Sequence, residues 1–362
     1  MIKVGSDFSG VGAFDQALKR LEINYETIFA CDMDKYARQT FIENYGEPKY
    51  YPENVYNREI PKESVDIYMT SPPCQAFSLA GNRKGESEER GVLFYNSHEF
   101  ILKNKPRYFI FENVKGLLSD DNGKTFQRWI DYLSKSVNGQ PVIFPHEESA
   151  NYHVYHKVLN SKDYGVPQNR ERIFITGIRD DADNKFIFPP KEHLTKRLKD
   201  VLEDDVDEKY FLSEKMVNGL IGKNSQDNGF TFKPKTGEDT GSCVTARCFK
   251  MGADDNYIHV KSATKKGYEI AKEGDSINFS VPNSETRRGR VGKGVAQTLD
   301  TQCNQGIIQD RIRRLTPREC FRLQDFPDSF KMPCSDSQMY KQAGNSITVG
   351  VLEKIIKRLI KI

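Results

Sequence analysis

Cys74 stands directly behind two prolines in Ser71-Pro72-Pro73-Cys74-Gln75-Ala76-Phe77-Ser78, where the apolar run Asp66-Ile67-Tyr68-Met69 ends. Proline fixes its own φ and drives the residue before it out of the helical region. The thiol is therefore expected on a stiff loop at the carboxyl end of a strand, the edge at which open α/β sheets bind ligands. A thiolate there would be a nucleophile held in one direction. A small buried cysteine in a Pro-rich turn is the competing reading. A second chemical group, Glu112, follows the β-rich run Arg107-Tyr108-Phe109-Ile110-Phe111. A carboxyl group behind an apolar strand is expected to be desolvated, which raises its pKa and suits it to carry or share a proton. Helix capping or a solvated strand end would explain it equally simply. A third feature, Gln168-Asn169-Arg170-Glu171-Arg172, enters another strand, and the alternation of strand side chains sends Arg170 and Arg172 to one face. Two guanidiniums aimed one way suit phosphate or a base carbonyl.

The elements that must position these groups are also legible. Ile2-Lys3-Val4 reads as a strand, Phe8-Ser9-Gly10-Val11-Gly12 as a glycine turn, and the stretch from Asp15 to Leu21 as a helix with an apolar stripe. Strand, glycine turn and helix N-terminus form a cofactor loop. Asp32 follows Gly12 after 20 residues, the offset at which an acidic residue meets a ribose hydroxyl. This pattern fits any adenosine-containing cofactor and does not separate S-adenosylmethionine from NAD. Helices are expected from Phe94 to Leu102, from Thr125 to Ser134, and from Val349 to Ile360. The last places Leu352, Ile355, Ile356 and Leu359 on one stripe. Thr316-Pro317 should open a further helix, with threonine as N-cap and proline just inside. Gln342-Ala343-Gly344-Asn345-Ser346 reads as a small-residue turn.

In this order, Pro-Cys-Gln, Glu-Asn-Val, Gln-x-Arg-x-Arg and Gly-Asn-Ser resemble the motif set of the DNA (cytosine-5)-methyltransferase family, of bacterial or phage type. The resemblance covers roughly residues 1 to 180 and 311 to 362. It implies transfer of a methyl group from S-adenosylmethionine to carbon 5 of cytosine within a specific double-stranded DNA sequence. The means would be base flipping and covalent addition of Cys74 to carbon 6. It further implies catalytic roles for Cys74, Glu112, Arg170 and Arg172. Cofactor contacts are implied for Phe8, Gly10, Gly12, Asp32, Met33, Asn54, Val55, Pro73, Leu93 and Asn345, and DNA contacts for Gln75 and Ser78 beside the cysteine. The chain departs from the family pattern in three places. Ala13 stands where the loop often has a second glycine, Met33 where an aromatic often meets adenine, and Asn54 where an aspartate is usual. A tRNA-methylating branch shares the mechanism, usually with a reduced recognition region, and is the alternative. Amino-methylating relatives put an aromatic where Cys74 stands, which argues against an adenine substrate.

Composition agrees with this reading. The 362 residues carry a net charge of +3, with 29% charged and 37% hydrophobic residues. These are the proportions of a soluble globular protein of one large or two ordinary domains. No run is long enough to span a membrane and no signal peptide precedes the first strand, so a cytoplasmic protein is expected. Seven cysteines without a Cys-x-x-Cys pair argue against a disulfide framework or a zinc site. Residues 1–180 alternate strands and helices, as in a doubly wound, mostly parallel α/β sheet, which residues 325–362 would complete. Residues 181–324, polar and glycine-rich, read as a smaller, loop-rich target-recognition domain and hinge. Short strand-like pieces such as Phe230-Thr231-Phe232 fall within it, as does a faint echo between residues 242–258 and 296–308. Near-neutral net charge means that any nucleic-acid surface must come from local clusters. Candidates are Arg287, Arg288, Arg290 and Lys293, and the run Arg311-Ile312-Arg313-Arg314. A monomer is expected, with a restriction endonuclease as a companion in the same system.

Overall fold

The structure, a computed structural model, describes residues 1–72, 93–182, 185–211, 257–272, 274–281, 284, 286, 288–308 and 312–361. Strand β1 (Ile2–Asp7) pairs in parallel with β2 (Tyr25–Cys31) on one side and β3 (Ile67–Thr70) on the other; β4 (Tyr108–Val114) continues beyond β3, also parallel. Helices α1 (Ala13–Arg20), α2 (Lys35–Tyr45), α3 (Leu93–Asn104) and α4 (Lys124–Leu133) lie between or after these strands in the chain. Strands β5 (Ser134–Val137), β6 (Gln140–Pro141) and β7 (Tyr152–Asn160) form the far side of the sheet. The short β8 (Gln168–Asn169) precedes β9 (Glu171–Ile178), which runs antiparallel between β4 and β7. The order across the eight-stranded sheet is β2-β1-β3-β4-β9-β7-β5-β6. This is the doubly wound, mostly parallel sheet expected.

The continuous apolar runs in the sequence reflect burial on both sheet faces. Ile67, Met69 and Ile110 enter one core with Phe14 and Leu18 of α1, whereas Tyr68, Phe109 and Phe111 enter the other with Phe94 and Phe100 of α3 and Trp129 of α4. Each such side chain contributes roughly 1.5–3 kcal/mol by leaving water.

Beyond the large sheet, β10 (Tyr257–Lys261) and β11 (Tyr268–Lys272) pair as an antiparallel hairpin. A small sheet joins β12 (Ser276–Asn278), β13 (Val291–Gly292), β15 (Gln305–Ile308) and β16 (Ile312–Arg314), while β14 (Ala296–Gln297) pairs with β8. Ala296, Leu299, Cys303 and Ile307 lie in the same core as Val4 and Leu18. Phe230-Thr231-Phe232 and most of the first half of the 242–258 echo lie outside the described residues.

The chain closes with α5 (Pro317–Arg322), α6 (Asp336–Asn345) and α7 (Val349–Ile360). Thr316 and Glu319 form a capping box on α5, with Pro317 in its first turn. Leu352, Ile355, Ile356 and Leu359 of α7 are buried in the core that also holds α1. Two expectations change. Gln342 to Asn345 form the last turn of α6 rather than a free turn, because distant partners hold them there. Thr40 donates to Gln342 at 2.9 Å, and the Gln324 amide donates to the Ala343 carbonyl at 2.8 Å. The basic run before α5 is turned inward: Arg313 is buried in a two-point pair with Glu319 at 2.8 and 2.7 Å. Arg314 stacks over Tyr340 at 3.9 Å. Neither guanidinium is a spare charge for phosphate, and Arg311 lies outside the described residues.

Candidate active site

Parallel pairing brings the ends of β1, β2, β3 and β4 to one edge of the sheet, and the antiparallel β9 begins at that edge. Register then decides which side chains meet. Glu112 lies opposite Phe174 and Val114 opposite Arg172, so Glu112 and Arg172 are diagonal neighbours on one face. The Arg172 Nε is 3.0 Å from a Glu112 carboxylate oxygen, with both side chains largely enclosed. The next residue, Asn113, donates from Nδ2 to the Pro72 carbonyl at 3.4 Å. That bond ties Pro72, two residues before Cys74, to the strand bearing Glu112. In the sequence, Asn113 stands out only as the middle of the Glu-Asn-Val block. Pro73, Cys74, Gln75 and Ser78 lie outside the described residues.

Arg170 lines one small cavity with Arg172 and Phe174, as the alternation implies, but its guanidinium is spent on backbone carbonyls rather than offered to a phosphate or base. It immediately precedes β9 and is 3% exposed. Its guanidinium donates to the carbonyls of Leu299 at 3.3 Å, Gly344 at 3.3 Å and Ser346 at 2.7 Å. Burial, with the Arg172 charge adding to it, lowers its pKa to about 9, so it stays charged at neutral pH. Arg170 thus clamps both sides of Asn345, and Asn345 itself is exposed.

The glycine loop follows β1. Gly12 has φ +82°, and a Cβ there would fall 2.3 Å from the Tyr45 ring, so both backbone and packing require glycine. The Gly10 and Asp34 amides donate to the two Asp32 carboxylate oxygens, each at 2.8 Å. Phe8 has φ +57°, a left-handed conformation that is rare for a bulky residue and tends to mark functional loops. Phe8 packs with Cys31, Val55 and Leu93 in a small apolar cluster of its own. Asn54 caps the following helical turn, its Oδ1 accepting from the Tyr56 amide at 2.9 Å. Met33, one residue past Asp32, is left 84% exposed. A buried apolar cluster, a half-buried Phe8, an uncovered thioether and a nearby carboxylate fit an adenosine-bearing cofactor, whose ring would cover Phe8 and Met33. The Cys31 thiol is no rival nucleophile: burial, with Asp7 close by, pushes its pKa up to about 12.

The residues expected at DNA divide. Arg290 is 1% exposed, and its guanidinium is used on the carbonyls of Asn278 and Ser280 at 3.2 Å each and on that of Val281. This corrects its assignment, since reaching DNA would break those bonds. Lys293 bonds the Ile270 carbonyl and pairs with Asp275 at 3.0 Å, with most of its stem in water. Arg288 is exposed, donating from Nε to the Ala263 carbonyl at 3.0 Å. Arg287 lies outside the described residues.

A doubly wound sheet with a glycine loop at one strand end and a Glu–Arg pair at another places the chain in the Rossmann-like class. The model of the C-5 cytosine-specific DNA methylase family matches residues 2–361, and the chain belongs to that family. An orphan methyltransferase of Bacillus phage SPR is 32% identical, over 99% of this chain and 97% of that one. A type II methyltransferase of Neisseria lactamica is 31% identical, over 99% and 96%. Among solved structures, the Entamoeba histolytica methyltransferase EhMeth superposes with a TM-score of 0.61 at 16% identity, covering 100% of this chain and 98% of that one. S-adenosylmethionine is the cofactor of this family. No helix among the described residues is long and apolar enough to cross a membrane.

Proposed function

We propose that the chain methylates carbon 5 of cytosine at a specific sequence in double-stranded DNA, with Cys74 as covalent nucleophile. The observation that carries this reading is the Glu112–Arg172 pair, 3.0 Å apart, with Glu112 on the strand whose Asn113 bonds Pro72, two residues before Cys74. Carbon 5 of cytosine is too electron-poor to attack a methyl donor unaided. Addition of the Cys74 thiolate to carbon 6 moves electron density towards carbon 5. Glu112 shares a proton with ring nitrogen 3 and stabilises that charge as it forms. Arg172 holds the Glu112 carboxyl and positions this side of the pocket against the base's carbonyl oxygen. The cofactor supplies the methyl group as an electrophile. Loss of the carbon-5 proton to a base then expels Cys74 and restores the ring. A stacked cytosine exposes neither face, so the base is flipped out at a cost of a few kcal/mol.

Phe8, Val55 and Leu93 form the apolar wall of the cofactor seat, with Met33 at its rim. Asp32 serves the ribose, and Asn54 and Asn345 the polar rim. Double-stranded DNA as substrate is supported by the orphan and type II relatives and by the long insert, 181–324, which we assign to target recognition. Bisulfite sequencing of DNA from cells expressing the chain should show one methylated sequence context; unmodified DNA would overturn the reading. Duplex containing 5-fluorocytosine should trap the enzyme covalently, because fluorine cannot leave as a cation. An adduct still forming on Cys74→Ala would remove Cys74 from the role.

A further inference from the structure

Beneath the apolar cluster of Phe8, Cys31, Val55 and Leu93 lies an ion pair with no place in the chemistry above. The Arg58 Nε is 2.9 Å from an Asp7 carboxylate oxygen, with side-chain exposures of 2% and 0%. Tyr68 donates its hydroxyl to the other Asp7 oxygen at 2.6 Å, and Arg58 donates from NH2 to the Asn96 carbonyl at 3.2 Å. Phe29 and Phe100 flank the guanidinium at 5.7 and 5.0 Å. A buried pair costs several kcal/mol per ion in desolvation, and apolar packing would often serve stability as well. A buried pair can instead fix the register of separate chain segments by its directional bonds.

The pair joins three such segments. Asp7 immediately precedes Phe8, whose left-handed backbone needs its surroundings to hold it. Arg58 closes the helical turn that begins at Asn54 and carries Val55. Asn96 lies one turn into α3, which begins at Leu93. Each segment contributes one member of the apolar cluster. We propose that Asp7 and Arg58 are positioning residues for the cofactor seat, locking these three segments in register so that Phe8, Val55 and Leu93 present one preformed surface. The proposal rests on the assignment of that cluster as the cofactor seat. A seat assembled from three loops loses affinity when its supporting contacts loosen, because ligand binding must then order it.

The test measures equilibrium binding of S-adenosylhomocysteine by calorimetry on the full chain, with steady-state kinetics alongside. Asp7→Asn/Arg58→Met removes both charges together and leaves no ion unpaired. Its affinity should fall roughly tenfold, while kcat at saturating cofactor and KM for DNA stay within about twofold of wild type. Arg58→Lys keeps the charge and fold but loses the fork that reaches both Asp7 and Asn96, and should lose about threefold. It carries the test if the double variant does not fold. Wild-type affinity in either folded variant overturns the proposal. Asp32→Ala separates the two assumptions. If it binds like wild type, the seat is misassigned; if it loses affinity while the pair variants do not, only the positioning role fails.

Discussion

Asp15 is the carboxyl group whose burial has the plainest consequence. It sits in α1, 1% exposed, accepting from the Thr27 hydroxyl at 3.0 Å. Burial raises its pKa to about 7 despite that bond, whereas an unfolded aspartate titrates near ~3.9. The folded chain therefore binds the extra proton between those values, so this group's stabilising contribution falls as pH rises from about 4 to about 7. Asp15→Asn should unfold at higher urea than wild type at pH 8, by roughly 2–4 kcal/mol, and the gap should close by pH 4. A constant gap across that range would show that Asp15 is not titrating. At the proposed catalytic edge, Glu112→Gln keeps the shape of the pair but cannot supply a proton. Single-turnover rates should drop by about 10²-fold or more with DNA affinity nearly unchanged. An unaltered rate at saturating DNA would remove Glu112 from proton sharing.

Among the elements, the end of α6 tolerates little added bulk. A Cβ on Gly344 would stand 2.1 Å from the Asp300 carbonyl oxygen, backbone against backbone with no side chain to swing aside. The same turn hangs from Arg170 through the Gly344 and Ser346 carbonyls. Gly344→Ala should cost about 1–3 kcal/mol in denaturant unfolding. If Asn345 serves the cofactor, the variant should also bind S-adenosylhomocysteine more weakly. Stability equal to wild type would mean that the Asp300 turn yields freely.

At the scale of the whole molecule, burial divides the basic groups outside the catalytic edge. Arg290 and Arg288 are two residues apart but have different fates, one buried on carbonyls and one exposed. Arg290→Met should lower the unfolding temperature and affect DNA binding only as far as folding suffers. Arg288→Gln, if Arg288 neutralises a phosphate, should weaken binding to all sequences and flatten the salt slope by about one. The reverse pattern would place Arg290 at the DNA. Exchanging residues 181–324 for those of a relative with another specificity should transfer that specificity. An active chimera that still modifies the original site would disprove the division of labour.

Local chemistry was readable from the chain alone. Gly12 and Asp32 act through backbone limits and short offsets, so their places follow from neighbours in sequence. Likewise α7 shows its stripe and α5 its cap, because both are properties of a few adjacent residues. The sheet class followed from apolar runs long enough to be covered on both faces. Tertiary structure decided whatever depends on a distant partner. Arg170 looks like Arg172 in sequence, and only acceptors 129 to 176 positions away turn it inward. Arg290 and Arg313 read as basic surface until a carbonyl cluster and Glu319 enclose them. Gln342 to Asn345 became helix because Thr40 and Gln324 hold them. The Asp7–Arg58 pair spans two strand ends' worth of chain, and an arginine after Asn57 carries no local sign of its partner. A charged side chain's role is set by what surrounds it after folding, and that surrounding is assembled from segments the sequence keeps apart.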